Sequence, residues 1–412
     1  MTENSAVPTD GHDRFQRLSR RRLLSLAGAA GLAAAGCTSQ GDGHASAPSS
    51  SGPPSGAPSP RGVLAGNVNG ALDRVNLAEL QDVSAKWLRG FFPMPRADRS
   101  DPASQPSIRN LLTAGEHGYG TVLSLKFPYN HRPLPSPGGS AMDVEFQRLD
   151  KLLPAVMNKV DILAVGNEPF IETRAEDHGR LNAFYEALAR HVIDYRNKHY
   201  GAKSRTRIYM GALNHLDLPA WRTPATERWM RFVRSTAAID GVDIHPHLPA
   251  PHADRAYLDY ILPRMRSDQR FLATEFSLVL FWKKHLSDAV PAGFAQRYSM
   301  RPGTPVWQVI RQSIDSPFPQ QKWDDFLLAC PWFAANKNFL RDQVKRFRAT
   351  GRLAVAAYGM TQGSAMVQNF GPKSTPWLLN SLLCPYTVQK GQNGRVGENR
   401  TWADEFRALQ VS

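Results

Sequence analysis

Eight short apolar segments, each set off from the next by a longer amphipathic stretch, restrict the folds open to this chain more than any other feature. They occupy residues 63–68, 85–91, 120–127, 160–165, 207–213, 242–245, 271–276 and 353–358. Runs that are apolar throughout suit parallel strands covered on both faces. The stretches between them carry helical spacing, as in Leu181, Tyr185, Leu188, Val192 and Tyr195, where apolar residues recur every three or four positions. Further helices are expected in 146–157, 226–235, 256–265 and 324–348. Strand–helix alternation repeated eight times predicts an α/β fold, a (β/α)8 TIM barrel formed by a single domain, 62–412. An open doubly wound sheet is the competing arrangement, but no GxGxxG follows the first strand. The gap between the seventh strand and the eighth strand is long. Roughly residues 283–320 are expected to form an insertion rich in Pro and aromatic residues, among them Phe294, Tyr298 and Trp307, walling one side of a cleft.

The N-terminus has a different character. Ser19-Arg20-Arg21-Arg22 precedes an apolar run from Leu23 to Ala35, which ends in Ala34-Ala35-Gly36-Cys37. A charged block, a short apolar run and small residues in this order make an export signal, and the paired arginines point to the twin-arginine route. The terminal Ala-Ala-Gly-Cys resembles the lipobox of bacterial lipoproteins. That resemblance implies cleavage before Cys37, acylation of its sulfur and anchorage to the outer face of the cell membrane. Residues 38–61 are Ser, Gly, Pro and Ala with little apolar bulk, the composition of a tether. The expected organisation is therefore a signal (1–36), an acylated cysteine and tether (37–61) and the barrel (62–412). No apolar run reaches the ~18–20 residues of a stable membrane span.

Lys and Arg total 50 against 36 Asp and Glu, a formal charge of +14. The surplus favours loose association with anionic surfaces such as acidic glycans or lipid headgroups. The cations are scattered and form no aromatic-interleaved patch, so a nucleic-acid partner is not expected. The three cysteines, Cys37, Cys330 and Cys384, show no CxxC spacing, which argues against a structural zinc site. With Cys37 acylated, the other two form either one disulfide or two separate buried thiols.

In barrels of this kind the reactive groups stand at the C-terminal ends of the strands. The fourth strand leads into Gly166-Asn167-Glu168-Pro169, and the seventh ends Ala273-Thr274-Glu275-Phe276. Two carboxylates converging on one pocket suit glycoside hydrolysis, in which one is neutral and gives a proton while the other is ionised. With Asn-Glu-Pro after strand four and a glutamate after strand seven, the chain resembles the clan A retaining glycosidases over roughly 62–401. The resemblance makes Glu168 the acid/base, Glu275 the nucleophile and Asn167 a contact of the sugar hydroxyl beside the reacting carbon. It also assigns Arg89, at the end of strand two, to the neighbourhood of the nucleophile, where a cation would keep Glu275 ionised. Strand six departs from the family's His-x-Tyr, reading His245-Pro246-His247. Strand eight offers Tyr358 where the family carries a tryptophan.

The resemblance thus implies a carbohydrate substrate and no cofactor, with His245, His247, Tyr358 and Trp282 expected beside Asn167 and Arg89 as substrate contacts, and Trp307 as a further stacking surface. Two other readings stay open. His245 and His247, two apart on a strand, could ligate a metal in a metal-dependent barrel hydrolase. A non-catalytic barrel that binds carbohydrate is the second.

Overall fold

The computed structural model describes residues 60–69 and 72–410. The expected signal, acylated Cys37 and tether lie outside the described residues, apart from Pro60 and Arg61.

All eight expected strands form, each displaced by three residues or fewer at its ends. They are β1 (Val63–Val68), β2 (Trp87–Pro93), β3 (Gly120–Lys126), β4 (Ile162–Val165), β5 (Arg207–Asn214), β6 (Gly241–His245), β7 (Arg270–Ala273) and β8 (Leu353–Thr361). Each pairs with the next in parallel, and β8 closes on β1. The chain is a closed (β/α)8 barrel. Side chains alternate between its two faces as the strand period requires. Ala65, Val122, Ala164, Tyr209, Leu272 and Ala357 pack together in the barrel interior. Leu64, Leu88, Leu123, Leu163 and Ile208 turn outward into the layer shared with the helices. Burying each such leucine contributes about 1.5–3 kcal/mol, and this two-sided covering is why the strands read as unbroken apolar runs.

Helices Ser140–Val156, His178–His199, Pro224–Ser235 and Arg255–Ile261 occupy the expected stretches. The third begins with Thr223 and Thr226 in a reciprocal capping box and with proline at its first position, where a missing N–H costs nothing. Helices Leu77–Asp82, Pro106–Glu116 and Arg400–Leu409 fall outside the stretches expected from spacing.

The single helix expected over 324–348 is instead three: Gln320–Ala329, Pro331–Ala334 and Phe339–Ala349. Pro331 cannot donate to a preceding turn, so the first ends and a new one starts there. The stretch after β7 holds helices Val279–Lys284, Ala292–Arg297 and Val306–Asp315. It is laced to the long segment that follows β8. Phe318 N donates to Thr387 O at 2.9 Å, Gln389 N to Phe318 O at 2.9 Å and Arg311 Nη1 to Phe370 O at 3.1 Å. Cys330 and Cys384 are separate buried thiols, and burial pushes the pKa of each up to about 12.

Candidate active site

β4 ends at Val165, and Gly166 takes φ +100°, a left-handed conformation that favours glycine. The turn carries Asn167 and Glu168 over the barrel mouth. β5 passes so close that a Cβ on Gly211 would stand 2.2 Å from Gly166 O, so glycine is required there too. This approach brings the end of β5 to Glu168, and Asn214 Nδ2 donates to Glu168 Oε1 at 2.8 Å. From β6, His245 Nδ1 donates to the same oxygen at 3.0 Å. Two donors on one oxygen fix the plane of the Glu168 carboxyl group.

Glu275 follows β7 and has a different set of partners. Arg89 Nη1 reaches its Oε1 at 2.6 Å, with the guanidinium fully buried and the carboxylate nearly so. Every donor direction of Arg89 ends on a site residue. Nη1 also donates to Asn67 Oδ1 at 3.0 Å, Nη2 to Asn167 Oδ1 at 2.6 Å, and Nε and Nη2 to Ser124 Oγ at 3.3 and 3.1 Å. Burial alone would raise the Glu275 pKa. The charges of His245 and Arg89 and the imidazole of His247 outweigh it and hold the carboxyl at about 2. Glu275 is therefore a carboxylate at any ordinary pH.

Donor atoms of Glu168, His245, His247 and Glu275, one from each, all lie within 4.8 Å of one another. Such a cluster invites the metal reading, and the hydrogen bonds speak against it. His245 Nδ1 faces Glu168 Oε1, the oxygen that also accepts from Asn214. Its Nε2 lies 2.9 Å from Thr274 Oγ1, whose proton goes to Asp243 Oδ2, and Thr274 N donates to Asp243 Oδ1 at 3.0 Å. Both ring nitrogens therefore donate. Burial opposes a charged ring, but Glu275, Asp243 and Glu168 around it push the His245 pKa up to about 10. An imidazolium has no lone pair for a metal, and Arg89 already holds Oε1 of Glu275, so the cluster as hydrogen-bonded here is not a set of metal ligands.

His247 continues past β6. Its Nδ1 hydrogen-bonds Ser277 Oγ at 2.8 Å, and its Nε2 stands 3.7 Å from Glu275 Oε2, beyond hydrogen-bond reach. The edge of the ring meets Trp377, with centroids 4.8 Å apart and planes at 85°. Trp377 lies in the segment after β8 and is half-buried. On the other flank, Asn167 Nδ2 donates to Glu172 Oε1 at 2.9 Å, and Lys126 Nζ from the end of β3 lies 2.8 Å from the same oxygen. Lys126 also stands 5.0 Å from the centroid of the Phe91 ring.

Of the residues expected from the sequence, Glu168, Glu275, Asn167, Arg89, His245 and His247 meet in this one place. Tyr358 and Trp282 do not. β8 runs on to Thr361, so Tyr358 is not at its end, and it faces outward against Phe276 and Trp402, at centroid distances of 5.3 and 6.2 Å. Trp282 is buried among Trp332, Phe333 and Trp402. Neither can meet a ligand. Trp307 is partly buried against the same apolar layer. Asn214, Thr274, Asp243, Glu172, Lys126 and Trp377 join the site without having been expected there. Asn214 and Lys126 carried a signal, since each lies within one residue of the end of an expected strand.

No protein-family model and no curated protein matches the sequence. Among solved structures, the GH53 catalytic domain of Ignisphaera aggregans is similar at 13% identity and TM-score 0.44, covering 85% of this chain and 95% of that one. A β-glucosidase from Exiguobacterium marinum is similar at 9% identity and TM-score 0.47, covering 85% and 97%. Endonuclease IV from Thermus thermophilus is similar at 13% identity and TM-score 0.36, covering 73% and 93%. Likenesses this remote carry no argument about chemistry, which rests on the site itself.

Proposed function

We propose that the protein is a retaining glycosidase acting on β-glycosidic bonds of oligo- or polysaccharides, exported by the twin-arginine route and held by acylated Cys37 at the outer face of the cell membrane. The observation that carries the catalytic reading is the pairing of Glu168 with Glu275. An oxygen of each lies within 4.8 Å of the other, a spacing compatible with the ~5–5.5 Å between the carboxyl groups of retaining enzymes.

In the first step Glu275 attacks the anomeric carbon as the bond to the leaving oxygen breaks, and Glu168 protonates that oxygen. A glycosyl ester on Glu275 results. In the second step Glu168 takes a proton from water, the water oxygen bonds to the anomeric carbon, and Glu275 leaves as carboxylate. Arg89 and His245 keep Glu275 ionised for the attack and hold the carboxylate again on release. Asn167, oriented between Arg89 and Glu172, is placed for the sugar hydroxyl next to the reacting carbon. His247 stands where the family has tyrosine, and Trp377 offers the aromatic face that Tyr358 does not.

The test uses aryl β-glycosides with good leaving groups. Glu168→Ala should lower turnover about 10²–10⁴-fold, and azide should restore part of it by attacking the glycosyl ester where no general base is needed. Full activity in Glu168→Ala would overturn the assignment.

A further inference from the structure

Because the strands are parallel, every residue that opens a strand lies at the same end of the barrel, opposite the glutamates. That end is basic. Arg61 and Lys86 stand just before β1 and β2, Lys159 shortly before β4, Arg207 and Arg270 open β5 and β7, and Arg352 precedes β8. Three of the acids found there are paired: Asp161 with Arg205 at 2.6 Å, Asp240 with Arg207, and Asp268 with Arg266 at 3.0 Å. Arg270 and Arg352 point donors at main-chain carbonyls, Gly351 O at 3.0 Å and Gln269 O at 2.7 Å, which leaves their charge unneutralised. Burial, and after it the like charges of Arg61, Arg352 and Arg207, push the Arg270 pKa down. Arg61, Lys86 and Lys159 are exposed and have no acidic or carbonyl partner among the described residues, so capping of helix ends does not account for them.

The chain enters the barrel at this same end, where Gly62 N donates to Leu353 O at 2.9 Å. Cys37 lies 23 residues before Pro60, and covalent geometry limits such a length to about 80 Å.

We propose that the strand-opening end of the barrel, centred on Arg61, Lys86 and Lys159, is a docking surface for the anionic phospholipid headgroups of the bilayer that anchors the protein. The proposal rests on the lipid-anchor reading and not on the catalytic one. The anchor keeps this face within reach of the membrane, and the basic rim turns it inward. The mouth holding Glu168, Glu275 and Glu172 then opens away from the bilayer, toward glycans outside.

The full chain carrying Cys37→Ala, which has no acylation site, is sedimented with vesicles of phosphatidylcholine alone or with about one-third phosphatidylglycerol. Binding should require the anionic lipid and weaken with salt. Arg61→Glu/Lys86→Glu/Lys159→Glu should bind at least about a hundredfold more weakly, since each basic residue lost near a charged surface removes about fivefold and the glutamates add repulsion. Arg301→Glu/Lys373→Glu/Lys390→Glu, which reverses exposed charges on segments following β7 and β8, should bind more nearly like the parent. Both triple variants should unfold at the parent's thermal midpoint, which separates docking from folding. Equal loss in the two variants would assign binding to net charge and overturn the proposal. Capture by poly(glycerol phosphate) but not by anionic vesicles would assign the rim to a wall polymer, and would overturn it equally.

Discussion

Arg89 organises the site at the scale of single residues. Its guanidinium is buried, and its donors join Asn67, Ser124, Asn167 and Glu275 across four strand ends. A planar fork with donors on three sides suits this task, which a point charge on lysine does not. Arg89→Met would strand a buried carboxylate. Unfolding in urea should show a loss of about 3–5 kcal/mol, with activity falling as Glu275 loses the cation that keeps it ionised; an unchanged stability would mean that Glu275 is not held by this pair.

His245 and Glu275 also set a pH dependence. Glu275 is depressed from 4.5 to about 2, so its stabilisation is present above 4.5 and is lost as pH falls through 2. His245 is raised from 6.5 to about 10, so its stabilisation is full below 6.5 and disappears as pH rises through 10. Urea midpoints should therefore decline between pH 6.5 and 10 in the native protein, more steeply than in His245→Gln. Equal slopes would show that the ring is neutral in the folded state. The glutamates and Asn167 were legible because each stands where an apolar run stops; Arg89 was reached through the family resemblance alone, and it lies inside β2, four residues before that strand's end. Tyr358 was not, because β8 continues three residues beyond it and the alternation that turns Ala357 inward turns Tyr358 to the outer face.

At the scale of elements, the site depends on β4 and β5 meeting closely. Gly211→Ala would push a methyl group into Gly166 O and displace the turn that carries Asn167 and Glu168. A stability loss of about 1–3 kcal/mol should accompany a fall in kcat larger than that of an exposed glycine-to-alanine change, for which Gly293→Ala is the control. The segment after β8 contributes Trp377. Trp377→Ala should raise KM about tenfold, as loss of an aromatic platform does, and leave the thermal midpoint nearly unchanged. A large drop in stability instead would make the ring a packing residue. Such segments were not legible, because a loop has no period to read. The sequence therefore pointed to an aromatic residue on the strand, whereas the ring beside His247 comes from a connection well past the end of β8. The broken helix after β7 is a similar case: spacing carried through Pro331, whose missing N–H makes the first of its two breaks.

The whole barrel was legible for a simple reason. Strands buried on both faces are apolar throughout, and eight of them alternating with amphipathic stretches leave few arrangements. The two buried cysteines illustrate what spacing does not decide, since a pair of thiols and a disulfide read alike in sequence. Thiols with pKa values near 12 hold little thiolate, the reactive form. A maleimide at pH 7 should leave Cys330 and Cys384 unlabelled in the native protein and label both after unfolding, and a reducing agent should not shift the thermal midpoint. A midpoint lowered by reduction would indicate a disulfide.

The central claim is that Glu275 forms a covalent bond to the sugar while Glu168 serves it from the other side of one cavity. Incubation with a 2-fluoro glycoside bearing a good leaving group, followed by proteolysis and mass analysis, tests this most directly. The peptide containing Glu275 should gain the mass of the fluorosugar, and no other carboxylate should be labelled. Turnover of ordinary glycosides without any labelled peptide, or a label on Glu168, would contradict it.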